Sequence, residues 1–120
     1  MADGRADLGR LGERAAFAWY AARGFRLVRR NWRSALGEID LVVRRADLLA
    51  FVEVKTRGGD RFGGPFEAVG HRKQHKLRQL GEAFLATSPG AGRLRCRFDV
   101  ASVTLRAGGR AEVHVFEDAF

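Results

Sequence analysis

The chain has 120 residues, of which 46% are hydrophobic; this suits one globular domain spanning 1–120, not a disordered segment. No run approaches the roughly 18 apolar residues of a membrane span, the first ten residues lack the apolar core of a signal peptide, and the single cysteine, Cys96, excludes an internal disulfide, so a cytoplasmic protein without a membrane partner is expected. Twenty-two Lys and Arg against fourteen Asp and Glu give a net charge of +8, which points to a polyanionic partner: nucleic acid first, with acidic lipid or ribosomal RNA fitting the same number.

The pattern from Asp7 to about Arg23 is helical, with Gly24 placed to cap its C-terminus. Leu8, Leu11, Ala15 and Trp19 share one face and predict the buried side, while Asp7, Arg10 and Arg14 form the wet arc. Glu13 aligns with Phe17 and Tyr20 beside the apolar face, where a carboxylate is half-buried unless something binds it. Three strand-like runs follow, Phe25–Trp32, Gly37–Arg44 and Leu48–Thr56. Arg45-Ala46-Asp47 is short enough to make the last two an antiparallel hairpin. Arg57 to Pro65 contains four glycines and reads as a flexible loop. A second helix is expected from about Ala68 to Ala86, then strands over Arg93–Leu105 and Ala111–Phe116 around the turn Ala107-Gly108-Gly109. This order predicts an α/β (α+β) domain, a sheet of about five strands with two helices.

Alternation along the second strand puts Glu38, Asp40 and Val42 on one side and Ile39, Leu41 and Val43 on the other. On the third, Phe51, Glu53 and Lys55 face away from Val52 and Val54. The hairpin then brings Asp40 near Glu53 and Lys55. Two carboxylates converging on one point repel unless a cation lies between them, and oxygen ligands suit Mg²⁺ or Mn²⁺. Asp40 and Glu53 are therefore the candidate metal ligands, with Lys55 beside them to orient a water or stabilise charge on a phosphate. A Glu-x-Lys pair is weak by itself, and Glu53 with Lys55 also fits a surface ion pair; what singles them out is their place in runs as apolar as Ile39–Val43 and Leu48–Val54. Nineteen of the basic residues are Arg, and the three Lys are Lys55, Lys73 and Lys76. The last two fall with His71, Arg72 and Arg78 in the first turns of the second helix, a basic wall suited to phosphate. Arg57, Arg61, Arg72, Lys73 and Lys76 are the expected nucleic-acid contacts. His71 and His75 read as part of that wall and not as zinc ligands. Cys96, Trp19 and Trp32 read as core. Asp99 is open between a cleft residue and a guard on a sheet edge.

The segments Gly37-Glu38-Ile39-Asp40-Leu41-Val42, Phe51-Val52-Glu53-Val54-Lys55-Thr56-Arg57 and Arg97-Phe98-Asp99-Val100, with Gly12-Glu13 and Ala15-Ala16 ahead of them, resemble the YraN family of bacterial proteins over about Leu8 to Val103. That family is similar to the PD-(D/E)xK nucleases and, in layout, to archaeal Holliday junction resolvases. The resemblance implies a restriction-endonuclease-like domain with Asp40 and Glu53 on the metal, Lys55 assisting the water and Glu13 reaching in from the first helix: a catalytic set of Glu13, Asp40, Glu53 and Lys55. Ile39-Asp40 stands where the superfamily has Pro-Asp.

The expected activity is metal-dependent endonucleolytic hydrolysis of DNA, selective for strand structure because few groups here could read base edges. The rival is a non-catalytic nucleic-acid-binding adaptor that keeps the fold and the charge; a phosphodiesterase of small nucleotides would need a closed pocket instead. The sequence leaves monomer and homodimer both open: cutting a symmetric junction takes two sites and hence a dimer, but no self-complementary patch is legible.

Overall fold

The computed structural model describes residues 4–58 and 70–120. Helix α1 (Gly4–Ala21) is followed by strands β1 (Arg26–Ser34), β2 (Gly37–Arg45) and β3 (Leu48–Gly58), helix α2 (His71–Thr87), and strands β4 (Arg95–Leu105) and β5 (Ala111–Phe116). Single 3₁₀ turns occupy Ala91–Arg93 and Ala107–Gly109. The strands form one mixed sheet in chain order, antiparallel except for β3 and β4, which are parallel. A parallel pair needs a long crossover, and α2 supplies it. The helices cover opposite faces: Ala16 and Tyr20 of α1 pack with Leu41, Val43, Ala50, Val52, Ala101 and Val103, and Leu77, Leu80 and Phe84 of α2 with Trp32, Ile39, Val42, Leu49, Phe51 and Val100. The fold is an α+β sandwich of a five-stranded sheet and two helices, as the element order predicts.

Turn chemistry accounts for the ends. Gly24 takes the left-handed conformation (φ 88°) while the amide of Phe25 reaches back to the Tyr20 carbonyl at 3.1 Å, closing α1. The β2–β3 hairpin is tighter than expected. Arg45 pairs with Leu48, so Ala46 and Asp47 alone make the turn, with Ala46 at φ 53°. Ala68, the expected start of the second helix, lies outside the described residues, as does most of the expected glycine loop; Arg57 belongs to β3.

Four expectations change. The buried stripe of α1 is Gly12, Ala16 and Tyr20, while Leu11 is 50% exposed. Small residues let the helix backbone approach the sheet, and the apolar count alone favoured the wrong arc. Cys96 is exposed, not core, because β4 has only just emerged from its preceding turn there. Asp99 is neither in a cleft nor on an edge: β4 is an inner strand, and Asp99 is fully buried beneath α1, accepting from the Tyr20 hydroxyl (2.6 Å), the Arg97 guanidinium (2.9 Å) and the Asp118 amide (2.9 Å). Finally, Ile39 packs on the α2 side whereas Leu41 packs on the α1 side. Residues two apart in a regular strand share a face, so the alternation is interrupted at Asp40.

Candidate metal centre

The interruption at Asp40 builds the site. The β2–β3 ladder runs from Arg45↔Leu48 to Leu41↔Val52 and stops. One residue further, the Asp40 carboxylate takes the place of a backbone partner, accepting the Val54 amide at 2.8 Å. No proline is needed for this bend. On the other side Asn31, with φ 50° inside a strand, sits between Arg30↔Leu41 and Trp32↔Ile39. Asn tolerates the left-handed region better than most residues, and here its side chain is used: Nδ2 donates to Glu13 Oε2 at 3.0 Å and to Glu38 Oε1 at 2.9 Å. A carboxylate from α1 and one from β2 are thus held by a single neutral amide.

Carboxylate oxygens of Glu13, Glu38 and Asp40 all lie within 4.8 Å of one another. Glu53 adjoins them by a hydrogen bond to Asp40. Burial, followed by that bond and the charge of Glu53, raises the Asp40 carboxyl from 3.8 to about 8. A pair of carboxyls sharing a proton is what converging acids do without a cation between them. Glu53 also forms an ion pair with Lys73 of α2 at 2.8 Å, and this hydrogen bond raises the Lys73 ammonium. Arg33 pairs with Glu38 at 3.1 Å, with most of its side chain in water, so its contribution is small.

The expected site residues fall into two groups. Glu13, Asp40 and Glu53 converge, and Lys55 lies two residues beyond Glu53 on the same face of β3, half-buried and with neither ion pair nor hydrogen bond to any described residue. Lys73 belongs to this group through Glu53. Arg72 and Lys76 are exposed on α2, the Lys76 stem lying against Gly37; Arg57 is half-buried at the end of β3, and Arg61 lies outside the described residues. Among the described residues His71 and His75 gather no third ligand. Reading the sequence missed Glu38 and Asn31. Glu38 was recognisable, since it stands two residues from Asp40 on the predicted common face. Asn31 carried a fainter sign, a residue unfavourable in strands between Arg30 and Trp32.

Carboxylate oxygens fit a hard cation. Ligands at about 2.1 Å from an octahedral ion lie roughly 3–4 Å apart, so the three side chains would have to draw in only slightly, and nothing but oxygen is offered. Such an ion would relieve both the burial of negative charge and the crowding of Asp40 against Glu53.

Residues 12–103 match the model of the family described as "Uncharacterised protein family UPF0102". A UPF0102 protein of Moorella thermoacetica is 44% identical over 113 residues, 93% of each chain. One of Pelotomaculum thermopropionicum is 42% identical over 121 residues, the full length of both. No helix among the described residues is long and apolar enough to cross a membrane.

Proposed function

Because the chain belongs to the UPF0102 (YraN) family, whose description assigns no reaction, the chemistry has to be read from the site, and we propose a divalent-cation-dependent endonuclease of the PD-(D/E)xK, restriction-endonuclease-like kind. It hydrolyses phosphodiesters of nucleic acid, DNA in first place, choosing by strand structure and not by base sequence. The observation that carries this reading is the gathering of Glu13, Glu38 and Asp40 within 4.8 Å, next to a Glu53 that hydrogen-bonds Asp40.

Asp40 and Glu53 are the ligands the strand pattern selects for Mg²⁺ or Mn²⁺, with Glu13 and Glu38 completing the oxygen set. A bound cation would supply Lewis-acid polarisation of the phosphate and neutralise developing charge. The chain's own residues do the rest. The Val54 amide holds the Asp40 carboxylate in place, and Asn31 keeps Glu13 and Glu38 together. Lys55, with no partner among the described residues, is available to orient a water or to stabilise a phosphate oxygen. Arg72 and Lys76 attract and hold the backbone from outside.

One observation favours the rival, a nucleic-acid adaptor without catalysis: Lys73 satisfies Glu53 with no metal at all. Calorimetry of Mg²⁺ and Mn²⁺ binding by the wild type, Asp40→Asn and Glu53→Gln separates the two. The nuclease reading expects heat from the wild type that both variants lose, together with cleavage of a duplex, flap or junction substrate abolished by Glu53→Gln. Salt-sensitive oligonucleotide binding that is unchanged in both variants, with no cation heat, would establish the adaptor.

A further inference from the structure

We infer that the groove between β1 and α2 holds the sugar–phosphate backbone of one nucleic-acid strand as it leaves the carboxylate cluster; this rests on the nuclease reading above and names where its substrate lies. The groove has a volume of about 650 Å³. Arg29, Arg33 and Ser34 of β1 form one wall, Ser88 after α2 stands on the other, and Trp32 and Phe84 make the floor.

Charge identifies the occupant. Four of the nine residues of β1 are Arg: Arg26, Arg29, Arg30 and Arg33. Of these only Arg33 forms an ion pair with a described residue, so among the described residues the positive charge of the edge strand is largely uncompensated. Charged side chains on an edge strand also deter pairing with another sheet, but that purpose needs no groove and no particular neighbours. Here the hydroxyl of Ser34 accepts the Leu36 amide at 3.1 Å, leaving its own proton to donate to a phosphate oxygen. The floor is apolar and closed: Trp32 is 9% exposed and meets Phe84 edge-on at 5.4 Å, too deep for a base to stack on. Such a groove grips a backbone and ignores sequence.

Position ties it to the site. Arg33, on the groove wall, is bonded to Glu38 of the cluster, and Asn31, next in the chain to Trp32 of the floor, bridges Glu13 and Glu38. The groove therefore begins where the carboxylates end. A polyanion that must approach several carboxylates needs cations beside them; Lys73 and Arg33 are engaged by Glu53 and Glu38, while Arg29 forms no ion pair with a described residue. Arg29, whose cross-strand partner Val42 packs on the α2 side, continues the track.

Trp32 is the built-in reporter. Trp19, the other tryptophan, lies on α1 beneath the Arg23 guanidinium, across the sheet. In a Trp19→Phe background, a single-stranded oligonucleotide of about 15 nucleotides is titrated with Ca²⁺ in place of Mg²⁺ at several salt concentrations. We expect quenching of Trp32 emission, binding weakened at least tenfold by Arg29→Glu, and a log–log salt slope lowered by about one, with the heat of Mg²⁺ binding unaltered in that variant. Oligonucleotide binding that leaves Trp32 emission unmoved, or that withstands Arg29→Glu while Arg72→Glu weakens it, overturns the inference and puts the strand on the outer face of α2, leaving the nuclease reading intact. No oligonucleotide binding by the wild type at any salt removes both.

Discussion

Gly12 of α1 lies so close to Thr56 of β3 that a Cβ on the glycine would sit 2.7 Å from the threonine Cβ and closer still to its hydroxyl. The helix touches the sheet at this point, and the next residue, Glu13, is the one that reaches Asn31 and the carboxylate cluster. The Gly12-Glu13 pair is therefore a unit: the first residue sets the depth of the helix and the second uses it. Gly12→Ala is expected to cost about 1–3 kcal/mol through overpacking and to weaken cation binding by lifting Glu13. Thr56→Ala in the same chain, which removes the hydroxyl and methyl, should restore part of both. Urea unfolding and calorimetry on the single and double variants check this.

Asp40 makes apo stability depend on pH. Its carboxyl is raised from 3.8 to about 8 in the fold, so over that interval the folded chain holds a proton that the unfolded chain has released. The stabilisation is complete below about pH 4 and is lost as pH rises through about 8. The melting temperature of the cation-free protein should fall between pH 5 and 8.5, and Asp40→Asn, which keeps the neutral form, should flatten that slope. Cation binding requires the deprotonated form, so Mg²⁺ should restore stability most at the alkaline end. A wild type and Asp40→Asn with parallel slopes would refute the assignment.

Lys73 and Glu53 make opposite predictions from one ion pair. Removing the ammonium with Lys73→Met leaves Glu53 free of a competing cation, and Mg²⁺ affinity should rise several-fold. Glu53→Gln should lower it at least tenfold. If Lys73 serves nucleic acid alone, Lys73→Met will weaken oligonucleotide binding and leave the cation isotherm unchanged.

Asn31 joins Glu13 to Glu38 through a neutral amide while holding a left-handed backbone. Asn31→Asp keeps the size but puts a third negative charge between two others. The cation-free protein should lose roughly 1–3 kcal/mol, and Mg²⁺ should recover more stability than it does for the wild type. Asn31→Gly relieves the backbone and drops the amide, so it should be better tolerated in thermal melts yet bind the cation more weakly than the wild type.

Tyr20 and Asp99 provide the control. The Tyr20 hydroxyl donates to a fully buried carboxylate at 2.6 Å; burial first, then the Asp99 charge and this bond, raise the phenol far above its ordinary range. Tyr20→Phe removes one of several donors to Asp99 and should cost about 1–2 kcal/mol without altering cation binding, because this network lies under α1 and outside the cluster.

Local chemistry made much of this protein legible in its sequence. Runs of β-branched and aliphatic residues marked the five strands, a short polar turn marked the hairpin, and Gly24 marked the end of α1, because each depends on neighbours in the chain. The meeting of Asp40 and Glu53 was legible too, since a hairpin of the two strands brings their acids together. Tertiary structure decided what depends on distance and relief. The arc of α1 that faces the sheet followed from how near Gly12 and Ala16 could come, which no count of leucines reports. The break in alternation at Asp40 came from exchanging a ladder partner for the Val54 amide, and it turned Glu38 toward Glu13. Asn31 became a bridge only when α1 crossed above β1. Sequence alone specified the strand acids by composition; the completed carboxylate cluster required α1 and β2 to meet, because charges some two dozen residues apart interact only once the chain has been folded back on itself.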